Sequence, residues 1–154
     1  MSDDLNLWMG QAIREAEKGS DEGEVPVGAV LVGADGTIVA KAHNQPITLK
    51  DPTAHAEIQV LRAGGAFFRN YRLLNATLVV TIEPCPMCMG AALQARITRL
   101  VFGAFDPKSG AAGSVYNLAT DERLNHRIEV IPGVMEKECR RLMQDFFRAR
   151  RIDN

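Results

Sequence analysis

Two cysteines and a histidine–glutamate pair are the residues of this sequence best able to do chemistry. Cys85 and Cys88 are three positions apart and follow directly on an apolar run, and His55 and Glu57 are two positions apart further upstream. The thiolate form of cysteine binds metal, and a helix N-terminus lowers the pKa of a cysteine. Both cysteines fall at the predicted start of a helix. Their spacing therefore lets both sulfurs turn toward one point.

A zinc site needs more than these two thiolates. The chain has only one other cysteine, Cys139, inside the last predicted helix, so four-cysteine coordination within one chain is excluded. Three protein ligands and one open position for water are the catalytic pattern of zinc. His55, Cys85 and Cys88 would supply those three ligands.

Glu57 has a clear task beside such a metal. Zinc lowers the pKa of a bound water to roughly 7, and a neighbouring carboxylate can take the released proton and pass it to a leaving group. Residues i and i+2 do not share one face of a regular helix. We therefore expect His55 to lie at the start of the helix, so that its imidazole and the Glu57 carboxylate approach one point from different sides.

Each motif alone has a plainer interpretation. A single C-x-x-C also fits a redox pair or two buried thiols, and a single His-x-Glu often occurs by chance. Cys139 has the helical spacing of a core residue, and His43 and His126 are typical of loop or surface histidines. The combination favours a metal site, because His-x-Glu opens one predicted helix and Pro-Cys-x-x-Cys opens the next, after a buried strand.

Hydrophobic periodicity and turn residues predict the elements that position these groups. Asp51-Pro52 or Thr53 could cap the helix that carries Glu57. Strands that alternate with helices predict an α/β layered domain around a mixed sheet, whose central strands we expect to be parallel. The predicted order is a helix ending at Gly19, a hairpin of strands 25–32 and 37–42, a loop at 44–53, a helix at 54–65, a strand at 76–82, a helix at 86–94, strands at 99–105 and 127–133, and a helix at 136–150.

Composition places the chain among ordinary soluble proteins. Its 154 residues fit one globular domain, and 46% apolar and 24% charged residues are average values. No apolar run approaches the roughly 20 residues that span a bilayer. Three cysteines form an odd count, and the acidic start Met1-Ser2-Asp3-Asp4 is unlike a signal peptide, so we expect a cytoplasmic protein.

The sequence resembles a known family over nearly its whole length. His55-Ala56-Glu57 with Pro84-Cys85-Pro86-Met87-Cys88 has the form of the H-x-E…P-C-x-x-C signature already described for zinc nucleobase deaminases. From about Trp8 to Arg151 the chain is similar to the bacterial TadA-type tRNA adenosine deaminases. The segments that carry this resemblance are VPVGAVLV, HNQPI, DPTAHAEI, TLVVTIEPCPMCMGA, LVFGAFDPKSGAAGS, LNHRIEV and DFFRARR, in the family's order and spacing.

The resemblance implies a fold, an activity and a cofactor. The fold would be a single deaminase domain over residues 1–154, an α/β three-layer helix–sheet–helix sandwich around a five-stranded mixed sheet (cytidine deaminase-like), with a basic C-terminal helix at about 135–151. The activity would be hydrolytic deamination of adenosine to inosine at the wobble position of a tRNA anticodon, performed by a homodimer. One zinc ion per subunit would be held by His55, Cys85 and Cys88, with Glu57 as the proton shuttle.

The resemblance also implies which residues meet the anticodon stem-loop. Met89 departs from the family, which often has alanine there, and Phe105 and Pro107 occupy a variable loop. By position, the substrate-binding residues would be Asn44 at the target nucleotide, Val25, Pro26 and Val27 at the base pocket, Asp106, Pro107, Lys108 and Ser109 beside the flipped base, and Phe147 and Arg148 near the anticodon loop.

The end of the chain concentrates positive charge in a protein whose formal net charge is −1. Such an excess alone is typical of a solvated helix face. If RNA is the substrate, aromatic and basic side chains there would hold it. The basic residues are Lys137, Arg140, Arg141, Arg148, Arg150 and Arg151, against the acidic Glu136, Glu138, Asp145 and Asp153.

Two other functions remain open from the sequence. One is a deaminase of a free base, such as guanine or cytosine, on the same fold, which would not need Arg148, Arg150 and Arg151. The other is a zinc-stabilised RNA-binding module without catalysis. Glu57 argues against that module, because a structural metal site needs no carboxylate beside its ion.

Overall fold

A computed structural model describes the backbone of residues 2–153 and the side chains of residues 4–150. It contains five helices and five strands in the described chain, and every predicted element is present. The loop predicted at 44–53 also contains a single helical turn. The elements are α1 (Ser2–Asp21), β1 (Gly28–Val32), β2 (Ile38–His43), α2 (Pro46–Leu49), α3 (Ala56–Phe68), β3 (Thr77–Ile82), α4 (Pro86–Ala95), β4 (Arg99–Ala104), β5 (Glu129–Ile131) and α5 (Glu136–Asp153).

The five strands form one mixed sheet in the order β2-β1-β3-β4-β5. Strands β3, β4 and β5 are parallel to one another, as expected for strands joined by helices. The expectation that all central strands are parallel is wrong for β1, which is antiparallel to both β2 and β3. The reason is the hairpin: β2 runs back along β1, and the connection through α3 then places β3 parallel to β2 on the other side of β1.

Alternate residues of the strands face two helical layers. Ala29 and Leu31 of β1 face the core under α3 and α4, whereas Val30 and Val32 face the core that contains Trp8 and Ala12 of α1. Cys139 of α5 belongs to this second core. The fold is therefore the predicted α/β helix–sheet–helix sandwich, with α3 and α4 on one face and α1 and α5 on the other.

Gly28 allows α1 to lie directly on the start of β1. A Cβ atom at this position would lie 1.9 Å from the Ala12 carbonyl oxygen and 2.5 Å from the Ala16 nitrogen. The Gly28 nitrogen also donates a hydrogen bond to Thr81 Oγ1 at 3.1 Å, which ties the start of β1 to the end of β3. A glycine is thus required here by close packing of backbone on backbone.

The segments that could carry a functional site lie together at one edge of the sheet, where several strands end. The carboxyl ends of β2, β3 and β4 meet the amino end of the antiparallel strand β1 at this edge. Residues 25–27, 43–44, 83–85 and 105–109 follow or precede those strand ends. Ligand sites of open α/β sheets lie at the carboxyl ends of the strands, so this edge is where a site is expected. Within the described chain, no helix has the length and apolar character needed to cross a membrane.

Candidate metal centre and active site

His55 is the residue at the N-cap position of α3, as its proposed role requires. Its backbone is extended, with φ −71° and ψ 153°, and its side chain makes no capping hydrogen bond. The Ala56 nitrogen donates instead to Asn44 Oδ1 at 2.8 Å. Because Asn44 satisfies a donor at the helix start, the His55 imidazole is left to face the cysteines.

The predicted caps at Asp51-Pro52 or Thr53 are therefore wrong. Asp51 Oδ1 accepts hydrogen bonds from the Thr53 nitrogen at 2.9 Å and from Thr53 Oγ1 at 2.7 Å. Their side chains thus shape the loop before α3 instead of capping the helix.

Cys85 has the same position on α4 that His55 has on α3. It is the N-cap residue, with φ −77° and ψ 173°, and Pro86 follows as the first helical residue. Cys88 lies one turn into the helix and is fully buried. The positive ends of two helices therefore converge on one place, and a helix N-terminus stabilises negative charge such as that of a thiolate.

The three predicted ligands form a compact cluster. His55 Nδ1 lies 3.7 Å from Cys85 Sγ and 3.4 Å from Cys88 Sγ, and all three donor atoms lie within 4.8 Å of one another. A tetrahedral zinc ion with ordinary Zn–N and Zn–S bond lengths holds a nitrogen and a sulfur about 3.6 Å apart. The donor set and its spacing therefore fit zinc.

The charge state of the cluster also favours a cation. The hydrogen bond with Cys88 lowers the pKa of Cys85 to about 4, and the same bond raises the pKa of Cys88. The hydrogen bond with Cys85 raises the pKa of His55. One thiolate thus forms readily, and a bound metal would displace the protons that remain, because only deprotonated ligands bind it.

Glu57 lies beside this cluster in the first turn of α3. Its side chain is buried, with 3% of the residue exposed. Burial raises the pKa of Glu57 to about 6, against the lowering effect of the backbone and of His55. A carboxyl group that gains and loses a proton near neutral pH is suited to general acid–base work.

A small cavity of about 160 Å³ opens at the cluster. It is smaller than the roughly 300–1,000 Å³ of clefts that enclose drug-sized ligands, so it suits a group of about the size of one base. Pro26 is buried but does not line it, unlike its neighbours Val25 and Val27. The lining residues are Val25, Val27, Asn44, His55, Glu57, Ile82, Glu83, Cys85, Asp106, Ser109 and Met143.

Asn44 has a fixed orientation in this wall. Its Oδ1 accepts the hydrogen bond from the Ala56 nitrogen, so the amide nitrogen is the group that can act as a donor to a ligand. The predicted contact of Asn44 with a nucleotide would then use this nitrogen as donor.

A larger groove of about 700 Å³ continues from the cavity. The two share Ile82, Asp106, Ser109 and Met143. Six of the predicted substrate residues, Asp106, Pro107, Lys108, Ser109, Phe147 and Arg148, line this groove together with Ile82, Phe105, Met143 and Gln144.

The Asp106 carboxylate organises the groove wall from within. Asp106 Oδ1 accepts hydrogen bonds from the Lys108 nitrogen at 3.0 Å and the Ser109 nitrogen at 3.3 Å, and Oδ2 accepts from Ser109 Oγ at 2.9 Å. Lys108 is exposed at this turn. The turn thus holds its shape with its own side chains and presents a lysine to the groove.

The arginines at the basic end of the chain have different contacts and different roles. Arg148 lines the groove and lies 3.3 Å from Asp145 in an exposed ion pair. Arg150 turns the other way, donating to the Gly23 carbonyl oxygen at 2.8 Å with its guanidinium carbon 4.6 Å from the Phe146 ring centroid. The side chain of Arg151 lies outside the described residues.

The remaining histidines and the third cysteine have structural contacts. His43 Nε2 lies 2.7 Å from Glu22 and Nδ1 lies 3.4 Å from Glu15, so this histidine bridges α1 to β2 instead of lying free in a loop. His126 Nε2 bonds the Ile97 carbonyl at 2.7 Å. Cys139 is a buried core residue, as predicted, and burial raises its pKa to about 12.

Sequence reasoning missed three residues of the cavity wall: Ile82, Glu83 and Met143. Ile82 ends β3 and Glu83 follows it, directly before the Pro-Cys-x-x-Cys motif, and this position in the sequence could have identified both residues. Met143 lies on α5, and only the packing of this helix beside β4 brings it to the site.

Comparison with known proteins agrees with this geometry. The family model described as MafB19-like deaminase matches residues 3–151, so fold and site together define a deaminase. The tRNA-specific adenosine deaminase of Bacillus subtilis is 49% identical over 145 residues, which cover 94% of this chain and 89% of that protein. The chain therefore belongs to the deaminase family that this model describes and, within it, to the tRNA-specific adenosine deaminases.

Solved structures support the same placement. A structure from studies of A-to-I editing by tRNA:A34 deaminases at the wobble position has a TM-score of 0.85 and 41% identity, covering 88% of this chain and 98% of that one. A guanine deaminase from Nitrosomonas europaea has a TM-score of 0.81 at 20% identity, covering 92% of this chain and 83% of that one. The second likeness shows the fold alone.

Proposed function

We propose that this protein is a zinc-dependent hydrolase that converts adenosine to inosine at the wobble position of a tRNA anticodon. The observation that carries the proposal is the meeting of four groups at one cavity: the donor atoms of His55, Cys85 and Cys88, and the buried carboxylate of Glu57. The relatives of the chain are tRNA-specific adenosine deaminases, and their activity is consistent with this site.

His55, Cys85 and Cys88 would hold the ion through Nδ1 and two Sγ atoms. Zinc, when bound, acts as a Lewis acid that activates water for attack at neutral pH. Glu57 takes a proton from the attacking water and delivers one to N1 of the adenine ring. Water thereby adds at C6. Glu57 then takes the second proton from the new C6 hydroxyl group and passes it to the amine, so that the C6–N6 bond breaks as the C6 carbonyl forms, and the products are inosine and ammonia.

The shape of the site favours RNA over a free base. A base in a folded anticodon loop has to leave its stack to enter a cavity of about 160 Å³. The neighbouring groove then has room for the nucleotides on either side. The exposed Phe147 ring can stack on an unpaired base, and Lys108 and Arg148 can meet phosphates. A free-base deaminase would have no use for this basic and aromatic wall.

We also propose that the protein acts as a homodimer through the outer face of α3 and α4. Ile58, Leu61, Gly65, Ala91 and Ala95 surround a shallow cavity of about 430 Å³ on this face, together with Arg62, Tyr71 and Gln94. Tyr71 is 72% exposed at its rim. An apolar patch of this kind is a common site of association, and analytical ultracentrifugation of the wild type and a Tyr71→Glu variant would test it.

We place the protein in the cytoplasm. Three free cysteines, one with a strongly lowered pKa, are suited to a reducing compartment, where a thiolate metal site is safe from oxidation.

The experiment that tests the function uses the zinc-loaded full chain. It measures inosine formation in total tRNA and in an anticodon stem-loop with adenosine at the wobble position, and ammonia release from free guanine and cytosine. We expect inosine only in the RNA substrates. Turnover of a free base with no inosine in either RNA would overturn the proposal and favour the free-base alternative.

A further inference from the structure

Glu83 is a second buried carboxylate at the site, and the reaction proposed above does not use it. It lies at the end of β3, two residues before Cys85, and only 2% of it is exposed. Like Glu57, it lines the small cavity. Burying a charged group is costly unless it is hydrogen-bonded, so we expect hydrogen-bond donors around the Glu83 carboxylate.

The Glu83 carboxylate accepts four hydrogen bonds from one loop. We call residues 105–114 the groove loop, because Asp106 to Ser109 form a wall of the groove. Glu83 Oε1 accepts from the Asp106 nitrogen at 3.0 Å and from Ser114 Oγ. Oε2 accepts from the Ala112 nitrogen at 3.0 Å and the Ser114 nitrogen at 2.9 Å. The two ends of the groove loop are thereby fastened to the same side chain.

The middle of the groove loop is folded tightly around this carboxylate. A Cβ atom at Gly110 would lie 2.4 Å from the Glu83 carboxyl carbon, so only a glycine fits there. The Ala111 nitrogen also donates to the Pro84 carbonyl oxygen at 2.8 Å. The Glu83 nitrogen donates to the Ala104 carbonyl oxygen at 2.8 Å, directly before the loop begins. Residues 83 and 84 thus form the support on which the groove loop is built.

We propose that Glu83 is a positioning residue that sets the groove wall at a fixed place relative to the metal ligands. The inference rests on the proposed function, because it concerns how the groove receives RNA. Asp106 and Ser109 face both the cavity and the groove, and Cys85 follows Glu83 by two residues. A single carboxylate therefore links the segment that holds the ion to the segment that meets the nucleotides flanking the target base.

The four hydrogen bonds explain why glutamate is needed here. A carboxylate offers only acceptors, and the groove loop presents three backbone N–H groups and one hydroxyl group to it. Glutamine would turn an amide NH₂ group toward backbone donors, and alanine would leave those donors without a partner. Charge-assisted bonds of this kind are stronger than neutral ones, so their loss should loosen the groove loop as a unit.

The test compares Glu83→Ala, Glu83→Gln and Ser114→Ala with the wild type, all zinc-loaded, on the anticodon stem-loop. We expect Glu83→Ala to raise KM about 10–100-fold with a much smaller change in kcat, because binding is lost while the chemistry remains. Glu83→Gln should not restore KM. Ser114→Ala removes one donor only, so its KM should change in the same direction by a smaller factor.

Two further measurements separate positioning from general stability. Hydrogen exchange should show lost protection at the amides of Asp106, Ala112 and Ser114 in Glu83→Ala, with zinc content unchanged. Leu73→Ala is the control, since Leu73 is buried in the core under α3 and α4. It should lower the free energy of unfolding without raising KM.

The outcomes of this test are distinct. If Glu83→Ala folds with a wild-type KM, or if its three amides keep their protection, the role of Glu83 is wrong. If Glu83→Ala does not fold, an unchanged KM in Ser114→Ala together with wild-type protection of the Ala112 amide would overturn the inference. Failure of the wild type to deaminate the stem-loop would instead refute the proposed function, and exchange at these amides would still report on Glu83.

Discussion

The Arg150 guanidinium donates a hydrogen bond to the Gly23 carbonyl oxygen at 2.8 Å, joining the last helix to the turn after the first one. The same guanidinium stacks on Phe146. The turn at Gly23 leads directly into Val25 and Val27 of the cavity wall. Arg150 therefore serves to dock α5 beside the site, whereas Arg148, two residues earlier, faces the groove.

This division predicts different effects for the two arginines. Arg148→Ala should weaken tRNA binding and reduce the slope of log affinity against log salt by about 0.7–0.9, the value for one lost phosphate contact. Arg150→Ala should leave the slope unchanged and lower the free energy of unfolding by about 1 kcal/mol, through lost cation–π and hydrogen-bond contacts. Binding titrations at several salt concentrations measure the slope, and denaturant unfolding measures the free energy of unfolding. Equal slopes for wild type and Arg148→Ala would contradict the groove assignment.

The proposed metal centre predicts that one substitution removes zinc from the protein. Wild-type protein should bind about one zinc per chain, and Cys88→Ala should lose most of it, because one of three protein ligands is removed. Cys139→Ala is the matched control, since Cys139 is equally buried but belongs to the core under α1 and α5. Elemental analysis after dialysis measures the ratio of zinc to protein in each variant. Full retention of zinc by Cys88→Ala would show that the ion is held elsewhere.

Glu57 predicts a separation of binding from chemistry. Glu57→Gln keeps the size of the side chain but cannot carry a proton between water and base. We expect its zinc content and its affinity for tRNA to stay near wild type while the single-turnover rate falls at least ~100-fold. A variant that deaminates at near the wild-type rate would require another proton carrier.

Gly28 and Gly10 form a matched pair for stability. Gly28→Ala should destabilise the fold by about 1–3 kcal/mol, because the new methyl group meets the backbone of Ala12 and Ala16. Gly10→Ala lies within α1 with nothing within 4 Å of the new methyl group, so it should stabilise by about 0.5–1 kcal/mol. Thermal or denaturant unfolding distinguishes them. Similar stabilities for both variants would refute the close packing of α1 on β1.

Local patterns predicted much of this molecule. The apolar run 76–82 and the proline–cysteine segment after it are found as β3 (Thr77–Ile82) and α4 (Pro86–Ala95), since a buried strand and a capped helix start leave strong local signals. The position of His55 at the start of α3 was also predictable, because only that position lets it meet the same point as Glu57.

Long-range pairing left weaker signals. Nothing local shows that β1 lies between β2 and β3, so its antiparallel pairing with β3 was missed. Asn44 Oδ1 takes the place of a sequence-adjacent cap, and no short motif reveals a partner twelve residues away. The docking of Arg150 on Gly23 depends on a contact between residues far apart in the chain. From the sequence alone, Arg150 therefore looked like the other basic residues near the end of the chain.

The proposed metal ligands and the groove wall come from different stretches of the chain. His55, Cys85 and Cys88 precede residue 89, whereas the groove is lined, apart from Ile82, by residues 105–109 and by α5. Synthesis proceeds from the N-terminus, and a domain generally folds as a unit. All three ligands therefore emerge while the groove loop and α5 are still to be made. The last helix to be synthesised therefore completes the groove wall, and a chain that ended before α5 would carry His55, Cys85 and Cys88 but would lack Met143, Phe147 and Arg148.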